Sequence, residues 1–281
     1  MRWERVWNAA EKEHNDKAEG DDFRNRLLDK DPAEYSIYHH YGIGYIQNLD
    51  DILSRKDESE IKKTIYQLEA AESTYLVDLM KNGIDSTKKV LDCGSGSGGV
   101  AFDLYKSTQC NIDGVTLAEK QVNFTNALTA KNGVSDKIKF HLMNMLELDF
   151  PDNTFDLAFS CETDMYIDLD KFYTSIARVL KKDGKYAMIT WCRSDEHITN
   201  NDYADKVDAY YEVKMQHLSA YKTALNTAGF KILEFNDLTT ESVDYWKIRK
   251  ESSISSDVDT PFLEGLTNGY IKAISILAEL A

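Results

Sequence analysis

The stretch VLDCGSGSGG, residues 90–99, constrains the fold more than any other part of the chain. An apolar run enters it through Val90 and Leu91, then Asp92, Gly94, Gly96 and Gly98 precede a helical pattern. Glycines let the chain turn sharply and let a ligand come close to the backbone. A turn of this kind at the carboxyl end of a strand is where open α/β sheets bind ligands. Gly94, Gly96 and Gly99 also satisfy GxGxxG, so the bare pattern admits a dinucleotide. Two features tilt the choice away from one. Asp92 suits a cofactor with hydroxyls and an ammonium group rather than a pyrophosphate. The next strand ends in Gly114-Val115-Thr116-Leu117, without the lone acid expected to hold a dinucleotide ribose.

Downstream, short apolar runs alternate with amphipathic ones. Strands are predicted over 89–93, 110–116, 138–143, 155–160 and 185–191, with helices near 98–106, 118–132 and 169–180. Such alternation implies right-handed crossovers and a parallel sheet covered on both faces. Two further strands, over 231–236 and 271–279, flank a Ser- and Asp-rich loop, and the last can form an antiparallel edge. A helix over 59–83 carries Ile61, Ile65, Leu68, Leu76 and Leu79 and stops at Gly83. The predicted fold is therefore α/β: a Rossmann-like, doubly wound, mostly parallel seven-stranded sheet with an antiparallel edge strand. An N-terminal arm and helical lid would occupy 1–85, and the main domain 86–281 would carry a cap insertion at about 193–228.

A formal net charge of −15 argues against a general nucleic-acid binder, which needs clustered Lys and Arg. It leaves room for an anionic small molecule, since one local basic pocket suffices. Cys93, Cys110, Cys161 and Cys192 show no CxxC spacing and read as reduced thiols of a cytoplasmic protein. No stretch approaches the ~20 apolar residues of a membrane span. A homo-oligomer is left open.

One carboxylate stands out. In CETDMYIDL, residues 161–169, Glu162 directly follows an apolar strand candidate, where a parallel strand opens into its crevice. It is either a solvated loop acid or an acid or base that meets a substrate.

With these segments side by side, the chain resembles a class I S-adenosylmethionine-dependent methyltransferase. VLDCGSGSGG matches the glycine-rich motif, GVTLAEKQ (114–121) the segment after the second strand, and MNMLELDFPDNTFD (143–156) the adenine-binding turn. YHHYGIG (38–44), CETDMYIDL, DAYYEVKMQH (208–217) and DYWKIRKESS (244–253) together resemble the geranyl diphosphate C-methyltransferases, from about residue 38 to 281. The resemblance implies S-adenosylmethionine as cofactor, Mg²⁺ arriving with the substrate, and methylation at C2 of an allylic isoprenyl diphosphate.

It also implies roles. Asp92, Gly94 and Gly96 would line the methionine part of the cofactor, Thr116, Leu117 and Gln121 its ribose, and Asn144 and Met145 its adenine. Tyr41, Gly42 and Gly44 would close over it. Glu162 would be the general base or cation stabiliser, with Tyr41 at the catalytic centre. Tyr211 falls where geranyl diphosphate enzymes place a Phe, which keeps a π face and adds a hydroxyl. Tyr166 and Trp246 would wall the apolar chain, while His39, His40, Arg249 or Asn25 would assist the diphosphate. The metal ligands are not assigned. Tyr211 keeps alive a farnesyl diphosphate C-methyltransferase that also cyclises its product. The reading from another class is an inactive cofactor-binding partner of a biosynthetic enzyme.

Overall fold

The computed structural model describes residues 38, 40–197, 201–211 and 213–281, and only the backbone of Tyr166. The two central parallel strands, Lys89–Cys93 and Phe155–Cys161, are buried along almost their whole length, as strands between two layers of helices must be. β1 (Lys89–Cys93) pairs in parallel with β2 (Asn111–Thr116) and β4 (Phe155–Cys161). β2 pairs with β3 (Ile138–Leu142), and β4 with β5 (Leu180–Arg193), both again in parallel. β7 (Ile271–Leu280) runs antiparallel between β5 and β6 (Phe230–Asp237). The resulting order is β3-β2-β1-β4-β5-β7-β6, a seven-stranded, doubly wound sheet as expected. The closing strand is the antiparallel one, and it lies one place in from the edge formed by β6.

Alternation along β5 shows how the two faces are built. Ala187, Ile189 and Trp191 point into one core, while Tyr186, Met188 and Cys192 point into the other. The first core is covered by α1 (Leu49–Arg55), α2 (Glu58–Met80) and α3 (Gly99–Thr108), with α4 (Glu119–Lys131) farther along the sheet. α6 (Asp202–Tyr211), α8 (Thr239–Lys250) and α9 (Asp259–Thr267) complete that layer. The second core lies under α5 (Leu169–Val179) and α7 (Leu218–Thr227). α2 begins where Asp57 accepts hydrogen bonds from the Ser59 and Glu60 amides. Asp168 does the same for Lys171 at the start of α5.

One sequence expectation needs correction. The segment between the last two strands is not one loop: it holds α8 and α9, and its Ser- and Asp-rich part, 251–258, is irregular. α8 buries Ser242, Tyr245, Trp246 and Ile248, an aromatic stripe whose charged neighbours hide its periodicity. The segment after Trp191 contains α6, which packs on α9. Within the segment expected to form a cap, α7 lies against α5 and β6, in the layer that covers the sheet. All four cysteines are free thiols. Among the described residues no helix is long and apolar enough to cross a membrane.

Candidate active site

Two neighbouring structures meet at the carboxyl ends of β1 and β4. The first is a cradle made by the glycine-rich turn. Gly94, Gly96 and Gly98 have φ of 76°, 54° and 83°, values that favour glycine. The Gly94 and Ser95 amides both donate to the Val115 carbonyl at 2.9 Å, which hooks the turn over β2. Burial pushes the Asp92 carboxyl up to about 8. Thr116 Oγ1 donates to Gln121 Oε1 at 2.8 Å, and the buried Gln121 Nε2 and Ser95 Oγ have no protein partners. Buried polar atoms left this way signal a ligand or ordered water. Leu117 is half-buried beside this pair. Asn144 Oδ1 accepts from the Leu146 amide at 2.8 Å, which shapes the turn after β3, and Met145 packs beneath it.

The second structure is an acid in an aromatic wall. Glu162 caps β4 with φ of 52°, a conformation that costs a non-glycine residue roughly 1–3 kcal/mol. Its own amide donates to Ile189 O at 2.8 Å. Its carboxylate is buried and accepts the Tyr41 amide at 2.8 Å and the Trp191 indole N–H at 2.8 Å. Around it, Trp246 stacks on Phe262 with centroids 4.1 Å apart, and Trp191 meets Phe262 edge-on at 4.5 Å. The Tyr41 ring lies 4.5 Å from Trp246, and the Tyr41 and Tyr211 hydroxyls hydrogen-bond to each other. A small cavity runs between Tyr41, Glu72, Glu162, Trp191, Trp246 and Phe262.

Thr163 joins the two. Its hydroxyl donates to Cys93 O at 3.1 Å, and its methyl fills the space that a side chain at Gly94 would need. Cradle and acid are therefore adjacent parts of one site.

The structure brings Tyr41, Glu162, Tyr211, Trp246 and Arg249 together. Arg249 lies over the Tyr41 ring at 5.3 Å and donates to Asp259 at 3.2 Å. Burial opposes its charge, but Tyr245, Tyr41 and Asp259 outweigh that and raise its pKa. His40 is buried, with Nδ1 2.8 Å from the Tyr41 carbonyl and 3.4 Å from Glu72. Gly42 sits between α2 and α8, where a Cβ would stand 2.6 Å from Leu68 backbone and 2.7 Å from Tyr245. The Gly44 amide donates to Glu241 O at 2.8 Å, so both glycines tie the segment to helices. His39, Asn25 and the Tyr166 side chain lie outside the described residues.

Three neighbours of Glu162 were not singled out from sequence. Trp191 ends a strand candidate at the ligand-binding edge, a position that could have flagged it. Glu72 is an acid within the buried stripe of α2, which is itself a signal. Burial first, then the nearby Glu162, holds the Glu72 carboxyl well above the usual range. Phe262, in a segment without clear periodicity, offered no signal.

A glycine-rich cradle after β1 and a doubly wound seven-stranded sheet define the class I methyltransferase fold. A family model described as a methyltransferase domain matches residues 84–249, more than half of the chain, and the chain belongs to that family. It is 28% identical over 244 residues to the geranyl diphosphate 2-C-methyltransferase of Saccharopolyspora erythraea, covering 86% of this chain and 85% of that one. A solved geranyl diphosphate methyltransferase, in complex with its diphosphate and sinefungin, superposes with a TM-score of 0.88 at 24% identity, covering 97% and 100% of the two chains. The geranyl diphosphate C-methyltransferase of Streptomyces coelicolor A3(2), bound to Mg²⁺, geranyl diphosphate and S-adenosyl-L-homocysteine, gives 0.84 at 23% identity, over 91% and 96%. The chain is an S-adenosylmethionine-dependent methyltransferase, and the buried polar atoms of the cradle fit a cofactor rich in hydroxyl and amino groups.

Proposed function

We propose that this enzyme methylates an allylic isoprenyl diphosphate on carbon, in the simplest case geranyl diphosphate at C2. The observation that carries the reading is Glu162, a buried carboxylate held by two N–H donors within an aromatic wall and joined to the cofactor turn through Thr163. The named relatives support the substrate class.

Bound S-adenosylmethionine supplies an electrophilic methyl group. Asp92 would accept its ammonium, Gln121 and Thr116 its ribose hydroxyls, and Ser95 would gain a partner. Addition of a methyl to the C2–C3 alkene leaves positive charge at C3, and loss of one proton from C2 restores the alkene. Glu162 would take that proton, a step for which a positioned base contributes roughly 10²–10⁴-fold. The faces of Tyr41, Trp191, Tyr211, Trp246 and Phe262 would stabilise the cation, each by ~2 kcal/mol when water is excluded. Arg249 would supply counter-charge to the diphosphate.

Mg²⁺ needs separate treatment. Among the described residues one group of three potential ligands, His40, Glu72 and Cys161, brings its donor atoms within 4.8 Å of one another. Its nitrogen and sulfur donors do not suit a hard cation that prefers oxygen, so the group does not fit Mg²⁺. The ion is expected to travel on the diphosphate, with much of its water shell.

The reading is tested by incubating the protein with labelled S-adenosylmethionine, Mg²⁺ and C5, C10 or C15 prenyl diphosphates, with products resolved by mass spectrometry after dephosphorylation. A methylated C10 alcohol is expected. Label in none of the products would sink the proposal, and a ring in a methylated C15 product would establish the cyclising alternative.

A further inference from the structure

Directly behind Glu162 lies a second acid, one that faces away from the site. Asp164 is completely buried, yet three hydroxyls from three elements converge on it. Tyr173 of α5 and Tyr186 of β5 each donate to Oδ2 at 2.8 Å, and Ser160 of β4 donates to Oδ1. The Ser160 and Tyr186 hydroxyl oxygens also lie 2.7 Å apart. A buried acid without partners is strongly disfavoured, so this convergence is a built feature of the core. Two residues away, Glu162 holds a positive φ that only surrounding structure can maintain. The turn between them is pinned on the cofactor side by Thr163 and on the β5 side by the Glu162 amide.

We propose that Asp164 is a positioning residue for Glu162: tied to Ser160, Tyr173 and Tyr186, it fixes the turn that aims the Glu162 carboxylate at Trp191 and the Tyr41 amide. Without this anchor the turn relaxes, the Glu162 φ returns to an ordinary value, and both N–H donors lose their acceptor. Cradle residues on the far side of Thr163 keep their hydrogen bonds to Val115. The catalytic consequence rests on the reading of Glu162 as the base.

The test uses the full chain with S-adenosylhomocysteine bound, comparing wild type with Asp164→Asn. The indole N–H resonance of Trp191, assigned through Trp191→Phe, reports the hydrogen bond to Glu162. In Asp164→Asn that resonance is expected to move upfield, and kcat to fall roughly 10- to 100-fold, the scale of a misplacement by about an ångström. KM and S-adenosylhomocysteine affinity should stay within about two-fold of wild type. Tyr186→Phe, which removes one donor and keeps the ring, should shift both readouts in the same direction by less. It carries the test alone should Asp164→Asn fail to fold. An unmoved resonance would overturn the proposal, whereas a moved resonance with unchanged kcat would uphold the positioning and overturn the reading of Glu162 as the base. Absent turnover by wild type would instead sink the base reading and leave the resonance to decide the positioning.

Discussion

Glu162 combines strain, burial and two directed donors, and each has a consequence that can be measured. Replacing it with Gln preserves size and an acceptor oxygen while removing the basic site. Glu162→Gln is expected to lower kcat roughly 10²-fold or more, with S-adenosylhomocysteine affinity by calorimetry almost unchanged. Unchanged turnover would remove Glu162 from the base role. Asp92 makes a different prediction. With its carboxyl pushed up to about 8 by burial, it is mostly protonated in the free protein at pH 7. A cationic ammonium beside it favours the charged form, so cofactor binding should release close to one proton at pH 7. Affinity for S-adenosylhomocysteine should rise with pH up to about 8 and then level off. Calorimetry in buffers of different ionisation enthalpy reads the proton directly. The sign for stability is opposite: a raised carboxyl makes the free protein less stable as pH climbs from the ordinary Asp range to about 8.

At the scale of elements, the segment from Tyr41 to Gly44 is held by helices, and its position sets that of the Tyr41 amide. A Cβ at residue 42 would meet Leu68 backbone and the Tyr245 ring at sub-contact distance. Gly42→Ala should therefore cost about 1–3 kcal/mol in stability, read by denaturant titration. It should also lower kcat by moving Tyr41 off Glu162. Thermal and catalytic parity with wild type would contradict this account of the glycine. The same scale shows what was legible in the chain. The parallel strands, their order of appearance and the cradle were readable because short apolar runs and a strand–glycine–helix turn are local signals. Glu162 was readable as a strand-end acid. α8 and α9 were not, because their buried faces are assembled from Trp246, Tyr245, Ser242 and Phe262 amid charged neighbours, and only packing on α2 and the sheet makes them helical partners. The Trp191–Glu162 hydrogen bond links residues 29 positions apart, on two strands whose pairing sequence alone does not specify.

For the whole molecule, the sheet separates two cores, and the site belongs to only one of them. Trp191, Tyr211, Trp246 and Phe262 are continuous with the core that α2 covers, so the aromatic wall is part of the packed interior rather than a mobile loop. The opposite core, under α5, carries the Asp164 anchor behind the same turn. A net charge of −15 leaves recognition of the proposed anionic substrate to local groups such as the half-buried Arg249, which lies over the Tyr41 ring. The central claim is that the methyl group enters at C2 and Glu162 takes the proton from that same carbon. Geranyl diphosphate carrying deuterium at C2 tests it in one mass spectrum: the account predicts a methylated product that has lost the deuterium, and a methylated product that retains it would contradict the account.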